Sequence, residues 1–330
     1  MIIKEIRALK KRASRDTLRL AFVEGRRLVG EVLAASGGGA GAGASGIGGG
    51  TGAVTSGVGG GAGAVTSGLG GGAEAGVSDI ADGGGRRFAV KFICVSESFT
   101  RDGAFPAIKN AAASRHIRLV MLPDHLFEAV SGTKSPQGLL AVFNMYDYSL
   151  SDLTAGTPGR NRLLILDRIA DPGNAGAMLR TAAAAAFSGV ILSEGCVDIY
   201  EPKTLRAAMG GIFRVPFIRD ANLTAVIGDL KRAGFRIYAS AAGVDGDTPA
   251  ARKDRGDIIQ YNCFYGNYGS VDSALVIGSE AFGVSDETYA LCDGALSIPM
   301  PGGSESLNAG VAAGILMFEF VRRDIALIGS

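Results

Sequence analysis

Only four cysteines occur in 330 residues, and Cys94, Cys196, Cys263 and Cys292 lie far apart, with no C-x-x-C pair and no cysteine/histidine cluster. A structural zinc or an iron–sulfur centre needs ligands closer than that, so no metal is expected. The thiols read as reduced, buried core groups of a cytoplasmic protein. A membrane-length apolar run is missing too. The longest, Leu307 to Val321, is broken by Asn308 and Glu319 and falls short of the roughly 20 residues a bilayer demands, so it reads as a buried helix. The N-terminus carries Lys4, Glu5 and Arg7 in place of the apolar core of a secretory signal. An excess of one charge is also absent: the formal net charge is +1, and no global basic field announces a nucleic-acid partner.

What is present is a local asymmetry. Residues 1–35 hold nine lysines and arginines against four acidic residues, an excess of five that would serve several phosphate contacts. The same stretch opens a small α/β half. A basic amphipathic segment, Ile2 to Ala13, precedes the apolar run Leu18 to Val23 and a helix from Gly25 to Ala35 with Leu28, Val29, Val32 and Leu33 on one face. Strands are expected at 88–95, 117–122 and 138–145, and helices at 107–114 and 123–131. Residues 1–145 thus read as one domain, 146–160 as a Ser/Thr/Pro/Gly linker, and 161–330 as a second domain with its own core. In the second, near-continuous apolar strands (163–168, 189–193, 215–218, 235–240, 273–278, 294–298) alternate with helices (174–186, 203–209, 221–233, 306–322), which argues for a mostly parallel sheet covered on both faces.

Two stretches interrupt this pattern. Residues 36–86 are nearly all Gly, Ala, Ser, Thr and Val and repeat an eleven-residue unit from Ala40, Thr51 and Ala62. Each unit offers one or two aliphatic side chains, worth about 1.5–3 kcal/mol each when buried, against backbone entropy of about 1–2 kcal/mol per residue. It therefore reads as a disordered insertion in a surface loop. Its Gly41-Ala-Gly43-Ala-Ser-Gly46 matches a dinucleotide fingerprint only formally, because no strand precedes it and no helix follows. The second stretch, Val244 to Val271, is too polar for a core and reads as a long variable loop.

Three blocks carry chemistry. The first runs from the strand Leu163–Asp167 through Asp171-Pro172-Gly173-Asn174-Ala175-Gly176 to Arg180-Thr181-Ala182. It reads as a buried strand, an enforced turn and a helix opened near Asn174, whose free N–H groups could receive an anion. Taken alone, Asn174 is as well explained as a helix cap and Arg180 as a solvated side chain. The second, Ile277-Gly278-Ser279-Glu280 with Gly283, is a strand end where glycine permits close backbone approach and a carboxylate stands ready. The third, Ile298-Pro299-Met300-Pro301-Gly302 with Ser306-Leu307-Asn308, joins a strand to a helix dense in small residues.

Order and spacing of these blocks resemble the three motifs of the SpoU/TrmH family, the AdoMet-dependent RNA ribose 2′-O-methyltransferases of the SPOUT superfamily. Pro202-Lys203 with Arg206 to Pro216 resembles the block between its first and second motifs. Phe22-Val-Glu24-Gly25 and Ser135-Pro136-Gln137-Gly138 resemble the ends of its small RNA-binding domain. Asn308-Ala309-Gly310 departs from the family's common Asn-Val-Ser and puts one hydroxyl contact in doubt. The resemblance implies an L30e-like N-terminal domain and a C-terminal parallel sheet with a deep trefoil knot. It implies S-adenosyl-L-methionine held by Gly278, Glu280, Ile298, Met300, Leu307 and Asn308, with Arg180, Asn174, Glu280, Ser306 and Asn308 at the reacting centre. It further implies RNA contacts through Arg26, Arg27, Lys134, Arg180, Lys203 and Arg206, and a homodimer. The implied substrate is RNA, since only RNA, not DNA, presents a 2′-hydroxyl, and by analogy of fold the separate N-terminal domain points to ribosomal RNA, namely 23S rRNA. A tRNA-directed enzyme and a non-catalytic RNA-binding protein of the same fold are the alternatives.

Overall fold

The basic opening segment forms two helices. α1 (Ile2–Ala8) and α2 (Arg12–Leu18) meet at Lys10 and Lys11, and α2 stops where Arg19 turns left-handed at φ 54°. A computed structural model supplies this description for residues 2–36, 88–241, 252–254, 258–265, 268, 271–304 and 306–328. The repeats of the 36–86 insertion and its glycine fingerprint lie outside the described residues.

β1 (Leu20–Glu24), α3 (Arg26–Ser36), β2 (Val90–Ser96), α4 (Phe105–Ser114), β3 (Arg118–Leu122), α5 (Asp124–Val130) and β4 (Leu139–Asn144) follow. Their sheet has the order β1-β4-β2-β3, with β4 antiparallel to β1 and β2, and β3 parallel to β2. Period-two alternation sends side chains to two different cores. Leu20, Phe22, Phe92, Cys94, Leu140 and Val142 meet Ile6 and Leu9 of the N-terminal helices on one face. Ala21, Val23, Ile93, Val95, Ala141 and Phe143 face the other way.

That second face does not close on itself. It runs into the core of the following sheet, contrary to the expectation of two separate cores. Phe213 packs edge-on against Phe88 and Phe143 with centroids 5.1 and 5.3 Å apart, and Tyr148 and Tyr200 lie against Phe217. Aromatic rings each bury a large area, which makes this a continuous apolar seam. Residues 146–160, expected to link the halves, are themselves packed. Tyr200 Oη exchanges hydrogen bonds with the Tyr146 backbone at 3.0 and 3.1 Å, and α6 (Leu150–Thr154), capped by Ser149, buries Leu153 completely.

The rest of the chain is β5 (Arg162–Asp167), α7 (Pro172–Ala184), β6 (Gly189–Ser193), α8 (Pro202–Ala208), β7 (Phe217–Ala221), α9 (Leu223–Arg232), β8 (Arg236–Ala241), β9 (Arg252–Asp254), β10 (Ile258–Asn262), β11 (Ser273–Gly278), α10 (Asp286–Ala290), β12 (Gly294–Ser297) and α11 (Ala309–Ile328). The eight strands lie in the order β7-β6-β5-β11-β8-β12-β10-β9, and every pair but β9/β10 is parallel. This is the mostly parallel sheet that the alternation of strands and helices predicts.

Three local expectations are corrected. The stretch 244–271 contains sheet: β10 pairs in parallel with β12, and Gln260, Asn262 and Cys263 are buried. Pairing lets backbone bonds and neighbours satisfy polar side chains that look unsuited to a core. Helix α7 opens at Pro172, capped by Asp171 through Asn174 N–H at 2.8 Å, so Asn174 is not the cap. Helix α11 opens at Ala309, not 306, because Asn308 Oδ1 accepts from Gly310 N and Val311 N at 2.9 and 3.2 Å. Among the described residues no helix is long and apolar enough to cross a membrane.

Candidate active site

Parallel strands deliver their following loops to one edge of a sheet, and there the neighbours β5 and β11, with β12 one strand further on beyond β8, release the three sequence blocks. Two glycines show how tightly this edge is built. A Cβ on Gly278 would sit 2.0 Å from Gly283 C and Val284 N, because the loop folds back onto its own strand, with Ser279 and Gly283 exchanging backbone bonds of 3.1 and 2.8 Å. A Cβ on Gly176 would sit 2.4 Å from Ala207 Cβ and 2.8 Å from Thr204 O, so this glycine lets α7 and α8 touch. Beneath the edge, the buried Asp167 carboxylate accepts from Ser285 N at 2.8 Å and from Arg168 Nε at 3.2 Å. One buried acid thus anchors the end of the second loop to the start of the first.

Above it runs a directed chain of amides. Gly310 N and Val311 N donate to Asn308 Oδ1; Asn308 Nδ2 donates to Asn174 Oδ1 at 3.0 Å; Asn174 Nδ2 donates to Glu280 Oε1 at 2.5 Å. Each amide spends its oxygen towards α11 and its nitrogen towards the carboxylate, so neither can flip without losing bonds at both ends. The Glu280 carboxylate is exposed, and its Oε2 has no partner among the described residues. A side chain at position 310 would face this chain, its Cβ lying 3.2 Å from Asn308 Oδ1 and 3.4 Å from Asn174 Oδ1; glycine leaves that spot bare.

Asn174, Glu280 and Asn308, singled out from three separate blocks, are therefore joined by hydrogen bonds. Arg180 is not part of this group. It lies six residues along α7, exposed and without an ion pair among the described residues, at the point where Gly211 would bring a Cβ within 3.0 Å of the Arg180 Cα. Ser306 is exposed, and among the described residues only its carbonyl is engaged, by Ser304 Oγ at 3.1 Å. Ile298 is buried, Met300 half-buried and Leu307 exposed at 36%. Sequence reasoning missed Asp167 and Asp171. The first stood out only as a lone charge ending the run Leu163–Leu166, and the second only as an Asp directly before a proline.

The basic N-terminal patch is corrected in part. Arg12 makes two 2.7 Å bonds to Asp220, Arg15 is sealed against Asp198, Lys10 Nζ reaches Ser131 O at 2.7 Å, and Arg19 and Arg26 pair with Asp147 and Asp102. Partners within the fold, not phosphates, take up these charges. Of the cations singled out for RNA, Arg26 is thus engaged, whereas Arg27, Lys134, Lys203 and Arg206 have no ion pair among the described residues. All four cysteines are free and buried. Burial pushes the Cys94, Cys263 and Cys292 thiols up to about 12 and raises Cys196 as well, so none of the four is a thiolate nucleophile at neutral pH.

Residues 161–318 match the SpoU rRNA Methylase family, and residues 82–149 match the family described as RNA 2′-O ribose methyltransferase substrate binding. The chain is 34% identical over 203 residues to the 23S rRNA guanosine 2′-O-methyltransferase RlmP of Bacillus subtilis, an overlap of 61% of this chain and 72% of that one. It is 30% identical over 231 residues to the 23S rRNA guanosine 2′-O-methyltransferase RlmB of Xanthomonas axonopodis, covering 69% and 86%. The fold resembles that of the AdoMet-bound rRNA methyltransferase from Sinorhizobium meliloti, with TM-score 0.67 and 22% identity over 98% of this chain and 94% of the other.

Proposed function

The chain belongs to the SpoU methylase family, and on that premise we propose that it transfers a methyl group from S-adenosyl-L-methionine to a ribose 2′-hydroxyl of 23S rRNA in the cytoplasm. The observation that carries the reading is the amide chain that ties Asn174, Glu280 and Asn308 into one constellation at the exits of β5, β11 and β12. Three blocks up to 134 residues apart would have no reason to converge in this way in a plain α/β core. The rRNA substrate is supported by the names of both relatives.

The residues present fit the methyl donor. A Cβ on Gly283, Gly302 or Gly303 would meet nothing within 4 Å, so the second and third loops leave open space at the strand ends, and Met300 and Leu307 offer apolar surface beside it. Gly278, Glu280, Ile298, Met300, Leu307 and Asn308 would hold it, largely through backbone groups and apolar contact. When bound, it supplies an electrophilic methyl carbon on a sulfonium.

The protein must then position a weak nucleophile, take its proton and exclude water. Glu280, with Oε1 fixed by Asn174, leaves Oε2 to accept the hydrogen bond of the ribose 2′-hydroxyl and then its proton, as the methyl carbon's bond to sulfur is exchanged for one to the 2′-oxygen and a neutral thioether remains. Arg180 clamps the target phosphate and stabilises alkoxide charge as it develops. A guanidinium stays protonated at neutral pH, which suits a clamp better than a base. Ser306 and Asn308 orient the nucleotide and the third loop. Arg27, Lys134, Lys203 and Arg206 hold the RNA backbone, with Arg26 once Asp102 releases it.

The reading extends to the architecture. A trefoil knot is supported by the return of β11 between β5 and β8 before the chain leaves for β12, and by the backbone crowding at Gly278. An L30e-like RNA-binding domain spanning 1–145 is supported by the four-stranded mixed sheet and the match at 82–149. A homodimer is supported by Val311 and Phe318, about two turns apart on α11 and exposed at 51% and 49%.

The test is methyl transfer from radiolabelled S-adenosyl-L-methionine to undermodified 23S rRNA and to tRNA, beside Arg180→Ala. Label in rRNA that survives alkali as a resistant dinucleotide is expected. The variant should keep methyl-donor affinity while its turnover falls about 10²–10³-fold, the usual loss when one charge-stabilising donor is removed. Full activity of Arg180→Ala would sink its assigned role, and label confined to tRNA would sink the substrate.

A further inference from the structure

Glu24 is a buried carboxylate at the end of β1, 8% exposed, in the part of the molecule that the chemistry does not use. It is not idle. Ser131 Oγ donates to Oε1 at 2.5 Å, Thr133 Oγ1 donates to Oε1 at 2.8 Å, and Gly132 N donates to Oε2 at 2.9 Å. Two residues on, Arg26 N donates to Gln137 Oε1 at 3.0 Å. The turn from β1 into α3 therefore grips the connection between α5 and β4 at both ends, residues 131–133 and 137.

The same connection lies against the catalytic half. A Cβ on Gly132 would be 3.5 Å from Arg206 Nη1 and 4.0 Å from Pro202 Cβ, both on α8. Arg206 is half-buried and has no ion pair among the described residues, although Glu24 stands just across Gly132. All donors that face the carboxylate come from the loop, which leaves the guanidinium to seek another anion. Lys134, the next residue after the gripped turn, is exposed and equally unpaired.

We infer that Glu24 is a positioning residue for RNA: by pinning 131–133 against α8 it makes Lys134 and Arg206 a single phosphodiester-binding site across the seam between the two sheets. This rests on the RNA-methylating reading above. The physical logic is that two cations on separate elements bind one backbone segment well only if their spacing is fixed beforehand, and a buried acceptor of three hydrogen bonds fixes it. Loss of Glu24 would leave both cations in place and uncoupled.

The experiment measures equilibrium binding of in vitro transcribed 23S rRNA across a salt series, together with steady-state methylation. Lys134→Ala and Arg206→Ala should each reduce the slope of log affinity against log salt by about 0.7–0.9. Glu24→Ala should weaken binding about tenfold, and in that background Lys134→Ala should cost less than about twofold further, the non-additivity of residues acting as a unit. The rise should appear in KM for RNA, with the saturated rate and methyl-donor affinity kept. Thr133→Val, which removes one of the three bonds and disturbs folding least, should give a smaller rise of the same kind. Equal costs of Lys134→Ala with and without Glu24, or unchanged salt slopes for both cation variants, overturn the inference. A wild-type protein that neither binds nor methylates the transcript overturns the functional reading beneath it; wild-type methylation with unaltered variants overturns this inference alone.

Discussion

Replacing Arg15 with alanine should lower stability by about 3–5 kcal/mol, the cost of stripping one partner from a buried ion pair, and leave RNA affinity untouched. The side chain is 3% exposed and its partner Asp198 7%. Nη2 and Nε donate to Asp198 Oδ2 at 2.5 and 3.0 Å, and Nη1 donates to Leu9 O at 2.8 Å, so α2, the end of α1 and the loop after β6 share one guanidinium. Asp198 spends its other oxygen on Tyr200 N at 2.9 Å. Alanine would strand a carboxylate away from water with a single hydrogen bond. Urea unfolding followed by circular dichroism reads the loss: with a denaturant slope of about 3 kcal/mol/M the midpoint should fall by roughly 1–1.7 M. Arg15→Met combined with Asp198→Leu should recover most of it, because apolar isosteres remove the stranded charge. A midpoint shift below about 0.3 M, together with a salt slope for RNA reduced by about 0.7–0.9, would refute this account and return Arg15 to the phosphate-binding surface.

Asn174→Asp places a second carboxylate against Glu280 and removes the donor between them; kcat should fall by about tenfold or more, as expected for losing a charge-assisted bond of about 1.5–3 kcal/mol, and a rate within twofold of wild type in single-turnover methylation would deny the amide chain a catalytic role. Gly176→Ala should cost about 1–3 kcal/mol by overpacking α7 against α8, read as a lowered Tm with methyl-donor affinity retained; an unchanged Tm would mean that the helices part freely. The native protein should resist iodoacetamide at pH 8 and the unfolded protein should react at all four cysteines. Because the folded thiols titrate near 12 for Cys94, Cys263 and Cys292, above the roughly 8.5 of an unfolded thiol, their contribution to stability is fully present below the unfolded value and is lost as pH rises towards 12. Rapid labelling of the native form would contradict their burial.

Local features of the sequence were the readable ones. The run Leu163–Leu166 announced a fully buried strand, Leu28 to Leu33 announced the face of α3, and the glycines and prolines of 171–176 and 298–303 marked the loops that meet at the site. What escaped depended on distant partners. The arginines of α2 looked like a solvated basic patch because Asp198 and Asp220 lie some two hundred positions away. β10 looked like a loop because five residues with a Gln and an Asn carry little apolar signal until β12 pairs with them. The hold of Glu24 on 131–133 spans more than a hundred positions and left no local pattern at all. Asn174 and Asn308 could be singled out by motif, but which atom of each amide faces which neighbour was legible only in three dimensions.

The dependence of the amide chain on α11 has a consequence for the order in which the protein comes into being. Asn174 sits on α7, made midway along the chain, yet Asn308, which orients it, and the first N–H groups of α11 are translated after every strand of the sheet. Domains fold as they emerge, N-terminal parts first. A nascent chain can thus assemble its four-stranded sheet and most of its parallel sheet while Asn174 is still free to rotate. The amide chain therefore closes late and in one step, with α11, and not piecemeal as the strands that carry its members are made.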